Sequence, residues 1–481
     1  MIARDREGTT EGMRTAGTAI TIAIMAVVTA ITLLVVPFYT ASIQGVTLVT
    51  FTIVVWALFA LAVFLLRKVP TRAAVILILV GSAVIGGAAM VGPPNTSTDP
   101  ARYAWDGIVQ NAGISPYTYA PTSKNLERLR PGWLFESPTV AADGTVICKG
   151  VRFHLYSVPD TQERTATGDD EQICTAINRA QGKTIYPPSS EILFAAVRFV
   201  TGPTAEYWPL QLVGLLISTG ISAMLLLGLH ARKLDLRWAA LWAWCPLVAS
   251  QAVTNSHVDV LGAVLLLAAT LLVSTRRRWL GGIALGASIA SKLIPVIGAP
   301  ALLRRQPWKI VIAAVGTFLL LYLPYVLASG VKVLGYLPTY LTQEGYGNGS
   351  RFALIIPFAQ GNGAIIVALI LLLALAILVW RKTDPHTPWV GQLAMIGGAF
   401  LIISPSYPWY LLLLVPMIAM SGRWEWLALP LAFMAHSLQP TTAVAQWGEL
   451  TALVIVVAGS LIRSGPGAFG RVLHEARHPL S

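Results

Sequence analysis

Charge is scarce in this chain. Of its 481 residues only 12% are Asp, Glu, Lys or Arg, while 55% are hydrophobic. Soluble domains carry about 25% charged residues, so an ordinary soluble enzyme is excluded. A mean hydropathy of +0.67 points the same way. Acids are scarcer than bases, 22 against 34, which leaves a net charge of +12. An excess of that size can mark a nucleic-acid binder, but no basic stripe with interleaved aromatics is present. Nucleic acid is therefore not expected as a partner. Cysteine is nearly missing as well: there are three, with no CxxC pair and no His/Cys metal spacing, so no metal or cofactor is expected. The chain also lacks a phosphate-cradling Gly-rich motif and a Gly-x-Ser-x-Gly elbow. That argues against a nucleotide-driven transporter and a serine hydrolase.

What the chain does have is a succession of apolar runs, each of about 18 residues or more and each able to span a bilayer core. The fold class expected is an all-α polytopic membrane protein. The basic residues stand in short clusters between the runs: Arg67, Lys68 and Arg72; Arg232, Lys233 and Arg237; Arg276, Arg277 and Arg278; Arg304, Arg305 and Lys309; Arg381 and Lys382. This is the pattern of short cytoplasmic loops, whose bland partners are anionic lipid headgroups. The first run, residues 17–37, is long enough to be a true span, so no cleavable leader is expected.

With Arg4, Arg6 and Arg14 inside, three N-terminal spans carry the chain out, back and out again by residue 92. Residues 93–204 then form a long outer segment, and residues 205–481 a second membrane bundle. Two stretches begin and end on basic clusters and must go out and back. One turns near "TNSHVD" (254–259) and the other near "SKLIP", where Pro295 favours a break. Such a break is tolerated where backbone is buried or lines a wet cavity. A hairpin at "SPSYPWY" completes a count of about fourteen membrane segments, some of them short.

The outward turns carry the unusual residues: Asp99, Arg102 and Asp106; Asn255, His257 and Asp259; Lys292; Glu344, Tyr346 and Arg351; Tyr407, Trp409 and Tyr410. Ionisable groups at membrane depth mark functional sites by default. A shared cavity at the outer face is the economical reading. Each signal has a structural alternative. Asp99 is a good N-cap before Pro100 and can pair with Arg102. His257 and Asp259 can hold a hairpin, Lys292 can pair with Asp259, and the aromatics can form an interfacial belt. Cys148 and Cys174 both fall in the outer segment, where an oxidising exterior permits a disulfide; Cys245 reads as a small apolar residue.

At these residues the chain resembles the GT-C superfamily, and within it the actinobacterial polyprenyl-phosphate-mannose-dependent mannosyltransferases. The matching pieces are "DPARYAWDGIVQNAGISPYTYAP" (99–121), "ICTAINRAQGKTIYPP" (173–188), "NSHVDVLGAVLLL" (255–267), "ASKLIPVIGAPALL" (290–303) and "SPSYPWYLLLLVP" (404–416). Glu191 and the order of "NSHVD" depart from the family pattern, and residues 1–92 carry no family motif. The resemblance implies a GT-C-like bundle of about 11–14 transmembrane or re-entrant helices in the plasma membrane. It also implies an active site facing outside, a lipid-phosphate sugar donor and an envelope glycan or glycolipid acceptor. The catalytic carboxylate it implies in the first outer loop falls on Asp99, with Asp106 second. Leaving-group phosphate needs cations; Lys292, Arg351 and Arg102 are the candidates. Tyr103, Trp105, Tyr407 and Trp409 suit a sugar's apolar face, with His257, Asp259 and Glu344 as further substrate contacts.

A transporter or flippase of a lipid-linked saccharide is the rival class, and a structural subunit of an envelope-building complex a third. A transporter of the usual kind shows an internal repeat and charges near the midplane. No repeat is found here, and the charges gather toward one face.

Overall fold

The computed structural model describes residues 2–40, 46–140, 142, 146–148, 165–167 and 172–464. Three long helices open the chain: α1 Ile2–Thr40, α2 Val46–Leu66 and α3 Thr71–Ala89. Two short ones follow, α4 Asp99–Asn111 and α5 Pro188–Thr201. Then come α6 Trp208–Ala231, α7 Ala240–Ala243, α8 Asp259–Ser274, α9 Arg278–Ile289 and α10 Pro307–Ser329. The chain continues through α11 Leu337–Gln343, α12 Asn362–Lys382, α13 Pro388–Ile403, α14 Val415–Ser421, α15 Ala428–Leu438 and α16 Thr442–Ser464.

This is a multi-pass membrane protein. Among the described residues seven helices are long and apolar enough to cross a bilayer, or eight if one bent pair counts as a span. α2 has no charged residue in 21 positions, which at about 1.5 Å per residue matches the hydrocarbon thickness. Large apolar side chains on α10 and α12, Leu320 and Leu369 among them, stay exposed, as a lipid-facing helix requires. The count of spans is thus lower than the fourteen segments read from sequence. The difference lies in the short limbs. Residues 236–254 form a 3₁₀ turn, the four-residue α7 and a π-helical turn, and residues 294–302 form two 3₁₀ turns. Both are too short to cross.

Those irregular pieces hold the bends. The π-helical turn Val248–Thr254 meets α8 at 113°. Ser256, in that bend, has φ +39°, a left-handed conformation that non-glycine residues seldom adopt. α9 stops at Ile289 and the chain turns through 290–293 before Pro295, so the hairpin is broken near "SKLIP". A second left-handed serine, Ser404 with φ +42°, closes α13 before "SYPWY". The packed core runs through α8, α13 and α14, with Leu266, Phe400, Leu414 and Ile418 fully buried.

The segment between α3 and α6 contains strands that sequence reading did not anticipate. β1 Phe135–Glu136, β2 Thr139–Val140, β3 Val146–Ile147, β4 Thr165–Thr167 and β5 Gln172–Thr175 are all short. β1, β5 and β4 make an antiparallel sheet, with Glu136 opposite Cys174. A disulfide joins Cys148 to Cys174 with their Cα atoms 5.7 Å apart. One face of α4 packs on this sheet through Trp105, Ile108 and Val109. Its other face meets α5, where Gly107 lets the two backbones touch; a Cβ there would overlap the carbonyl oxygen of Phe194.

The connections put two kinds of chemistry at opposite ends of the helices. The end of α3, the start of α8 and the end of α9 come together: Asn255 Oδ1 accepts from the amides of Asn95 and Thr96, and Lys292 reaches Asp259. The other ends of these helices lead to the basic clusters at 67–72 and 276–278.

Candidate active site

A cavity of about 920 Å³ lies where those ends meet. Its wall is drawn from residues 96–102, 177–187, 292–294, 336–346 and 403–410. Of the residue groups singled out by sequence, the cavity gathers Asp99, Arg102, Lys292, Tyr407 and Trp409 into one lining, from parts of the chain more than three hundred residues apart. Among the described residues that line it, Asp99 is the one carboxylate, against the bases Arg102, Arg179, Lys183 and Lys292.

Asp99 is the first residue of α4 and not its cap; Thr98 takes that place. Its carboxylate is held from two sides. Asn178 Nδ2 donates to Oδ1 at 2.8 Å, and His257 Nδ1 lies 3.5 Å from Oδ2. Burial by itself would raise the Asp99 pKa. The neighbouring His257, the charge of Lys292 and the Asn178 amide outweigh it and hold the carboxyl below the usual carboxylate range. Asp99 is therefore an ionised carboxylate facing a cavity.

Behind it stands a stack. His257 is fully buried and lies on Trp409 at 3.9 Å, and Trp409 stacks in turn with Tyr407 at 4.4 Å. Trp409 thus already has two stacking partners within the protein. Lys292 Nζ donates to Asp259 Oδ2 at 2.6 Å and sits 4.8 Å from the centre of the Tyr410 ring. The hairpin-holding pair weighed as the structural alternative for Lys292 is present.

The other candidates are placed as follows. Arg351 lies outside the lining; it pairs with Glu344 at 3.3 Å and donates to Ser406 Oγ. Glu344 is a half-buried hub, since Tyr407 Oη at 3.0 Å and Arg179 Nη2 at 3.4 Å also reach it. Arg102 lines the cavity, yet its Nη2 donates to the backbone oxygens of Arg179 and Gly182 at 3.0 and 2.8 Å. Its Nη1 lies 3.8 Å from Asp106. Tyr103 and Trp105, expected as sugar-stacking residues, do not line this cavity. Helical spacing turns Tyr103 onto Phe194 at 4.4 Å and Trp105 onto Phe135 at 4.7 Å, both away from the cavity.

Asp106 also stands apart from the lining. It is buried between α4 and α5 beside Glu191, whose carboxylate accepts from Thr184 Oγ1 at 2.7 Å and Gln110 Nε2 at 2.8 Å. Burial, only partly offset by Arg102, pushes Asp106 up to about 6. Burial and the neighbouring Asp106 raise Glu191 as well. Two buried carboxyls close together disfavour double ionisation, and Glu191 is raised the further of the two.

Sequence reading missed Asn178, Arg179 and Lys183 as individuals, although all three lie within "ICTAINRAQGKTIYPP". As for metals, one cluster among the described residues has ligand spacing, Glu136 with Cys148 and Cys174, and its two sulfurs are joined in the disulfide.

Residues 184–405 match the model of glycosyltransferase family 87. A curated relative from Mycolicibacterium smegmatis is 26% identical over 321 residues, covering 60% of this chain and 77% of that protein. It is a polyprenol-phosphate-mannose-dependent alpha-(1-2)-phosphatidylinositol pentamannoside mannosyltransferase. Among solved structures, the oligosaccharyltransferase of Archaeoglobus fulgidus aligns at 13% identity with a TM-score of 0.36. That alignment covers 77% of this chain and about half, 53%, of the solved one.

Proposed function

We propose that the chain is a membrane glycosyltransferase of the family 87 kind and that it moves a hexose, mannose in the first instance, from a polyprenyl-phosphate donor to an envelope glycolipid or glycan. The observation that carries the mechanism is the position of Asp99, the one carboxylate lining the cavity among the described residues. The acceptor hydroxyl oxygen attacks the anomeric carbon while its proton passes to Asp99. The bond from the anomeric carbon to the phosphate oxygen breaks, and polyprenyl phosphate leaves with the electron pair. Attack opposite the leaving group inverts the anomeric centre.

Asn178 fixes the Asp99 carboxylate by its hydrogen bond, His257 lies against its other oxygen, and Lys292 is held near it by Asp259. Preorganised charge of this kind contributes most where water is excluded. The donor's mannose is argued from the curated relative, whose name carries it. The relative's acceptor is a phosphatidylinositol mannoside, which supports a lipid-anchored acceptor here. With the basic clusters on the cytoplasmic side, the cavity opens outside the plasma membrane.

The test is sugar transfer by the purified protein in lipid nanodiscs. Radiolabelled polyprenyl-phosphate mannose is supplied with extracted envelope glycolipids as acceptors. Label in the glycolipid fraction, absent with Asp99→Asn, is the expected result. Label that stays on the donor with every acceptor fraction would overturn the reading, as would full transfer by the variant.

A further inference from the structure

The cavity holds more positive charge than its one carboxylate can answer, yet most of that charge is already engaged. Of the four bases in its lining, Arg102 is tied to Asp106 and two backbone carbonyls, Arg179 to Glu344, and Lys292 to Asp259. Lys183 is the fourth. Among the described residues no acceptor or acid partners its ammonium, and the side chain is half-buried, not free in solvent.

The backbone around Lys183 is pinned on both sides. Gly182 O accepts from Arg102 at 2.8 Å, and Thr184 O accepts from the Tyr336 amide at 3.3 Å. Thr184 Oγ1 donates to the buried Glu191. Gly335, at φ +55°, sits so close that a Cβ there would overlap Thr184 O. The structure therefore holds the main chain at Lys183 rigidly while leaving its charge without a counter-ion. A fixed, half-desolvated cation at a cavity wall is preorganised for an anion.

We propose that Lys183 contacts the phosphate of a lipid-linked substrate, with the donor's polyprenyl phosphate as its occupant. This rests on the glycosyltransferase reading above. It assigns to Lys183 the role that sequence reading gave to Lys292, Arg351 and Arg102. Arg102 becomes a positioning residue that anchors the 179–182 turn on which Lys183 is presented.

The experiment measures binding of two probes to the protein in neutral phosphatidylcholine nanodiscs: sugar-free polyprenyl phosphate and phosphatidylinositol. Sugar transfer by the wild type is measured on the same preparation. Lys183→Gln is expected to weaken polyprenyl phosphate binding roughly tenfold or more. Lys183→Arg restores most of it, and Lys382→Gln at the far end of α12 leaves it unchanged. Weakened phosphatidylinositol binding alone would keep the lipid-phosphate contact and move its source to the acceptor. Unchanged binding of both probes in a wild type that transfers sugar would overturn the assignment to Lys183 alone. A wild type that binds neither probe and transfers nothing would overturn the functional reading, and the Lys183 assignment with it.

Discussion

Asp99 and Asp106 stand on one short helix, seven residues apart, and have opposite surroundings. Asp99 faces the cavity, receives an amide hydrogen bond and lies near a histidine and a lysine. Asp106 faces α5, lies beside a second carboxyl, and one of its oxygens is buried without a hydrogen-bond partner. The first is held ionised and the second is pushed up to about 6. Both are aspartates in the motif "DPARYAWD", and composition ranks neither above the other. Environment separates them: one is a carboxylate on the cavity wall, and the other is buried in the fold beside a second carboxyl.

The sharpest way to break this contrast is to neutralise each carboxylate in turn. Asp99→Asn keeps the shape and removes the base. General-base catalysis contributes about 10²–10⁴-fold, so turnover should fall by that much while donor binding is retained. Asp106→Asn should leave turnover within about threefold of wild type, since no reacting atom reaches it. Single-turnover rates with labelled donor separate the two variants; equal losses would erase the distinction.

Next in size is the effect of Lys292. Its charge helps keep Asp99 ionised, so its loss should let the Asp99 pKa rise. The acid limb of kcat/KM reports the base in the free enzyme. In the wild type that limb should lie below the ordinary aspartate value of about 3.9. Lys292→Met should move it to higher pH and lower the plateau by about tenfold, with donor KM unchanged. A donor KM that rises instead, with the limb in place, would return Lys292 to the phosphate.

How much of this was legible beforehand varies with the physics of each element. The long spans were plain because lipid demands about 20 apolar residues in a row. α10 Pro307–Ser329 and α12 Asn362–Lys382 each hold such a run. Short limbs such as 236–254 could be read as membrane segments but not as spans, since an apolar run of that length is compatible with a buried turn as well as with a crossing. The convergence of Asp99, Lys292 and Tyr407 was readable because basic clusters fixed which turns share a face. Lys292 beside Asp259 was among the readable alternatives, but most partners were not. Arg351 beside Glu344 and Trp105 beneath β1 depend on side-chain direction, which periodicity within one segment does not carry. The strands between α3 and α6 were missed because pieces of two to four residues show no alternation.

A smaller effect concerns the support beneath the contrast. The Cys148–Cys174 disulfide braces the sheet against which the Trp105 face of α4 packs. A closed loop of this size is worth roughly 3 kcal/mol in the chain-entropy model. Cys148→Ser with Cys174→Ser should lower the melting temperature and turnover modestly, and reduction of the wild type should do the same. If both leave melting and turnover unmoved, the sheet does not support α4.

The smallest expected effect on rate is the most informative about Asp106, and it appears in stability. A carboxyl whose folded pKa is raised binds its proton more tightly folded than unfolded. The stability it confers is fully present below the unfolded value of about 3.9 and is lost as pH rises through about 6. Above that, the folded protein must either ionise both Asp106 and Glu191 at close range or hold a proton against solution. Arg102 offsets part of that cost, but at 3.8 Å it is a loose partner, with its other nitrogen committed to backbone carbonyls. Wild-type melting temperature in nanodiscs should therefore decline between about pH 4 and 6. Asp106→Asn cannot ionise and keeps the shape of the side chain beside Glu191. The decline should shrink in that variant, and its melting temperature near neutral pH should equal or exceed that of wild type. Glu191→Gln, which removes the other member of the pair, should flatten the same interval. Should both variants keep the wild-type slope, the carboxyl pair is not the titrating unit, and α4 holds its two aspartates in place by packing alone.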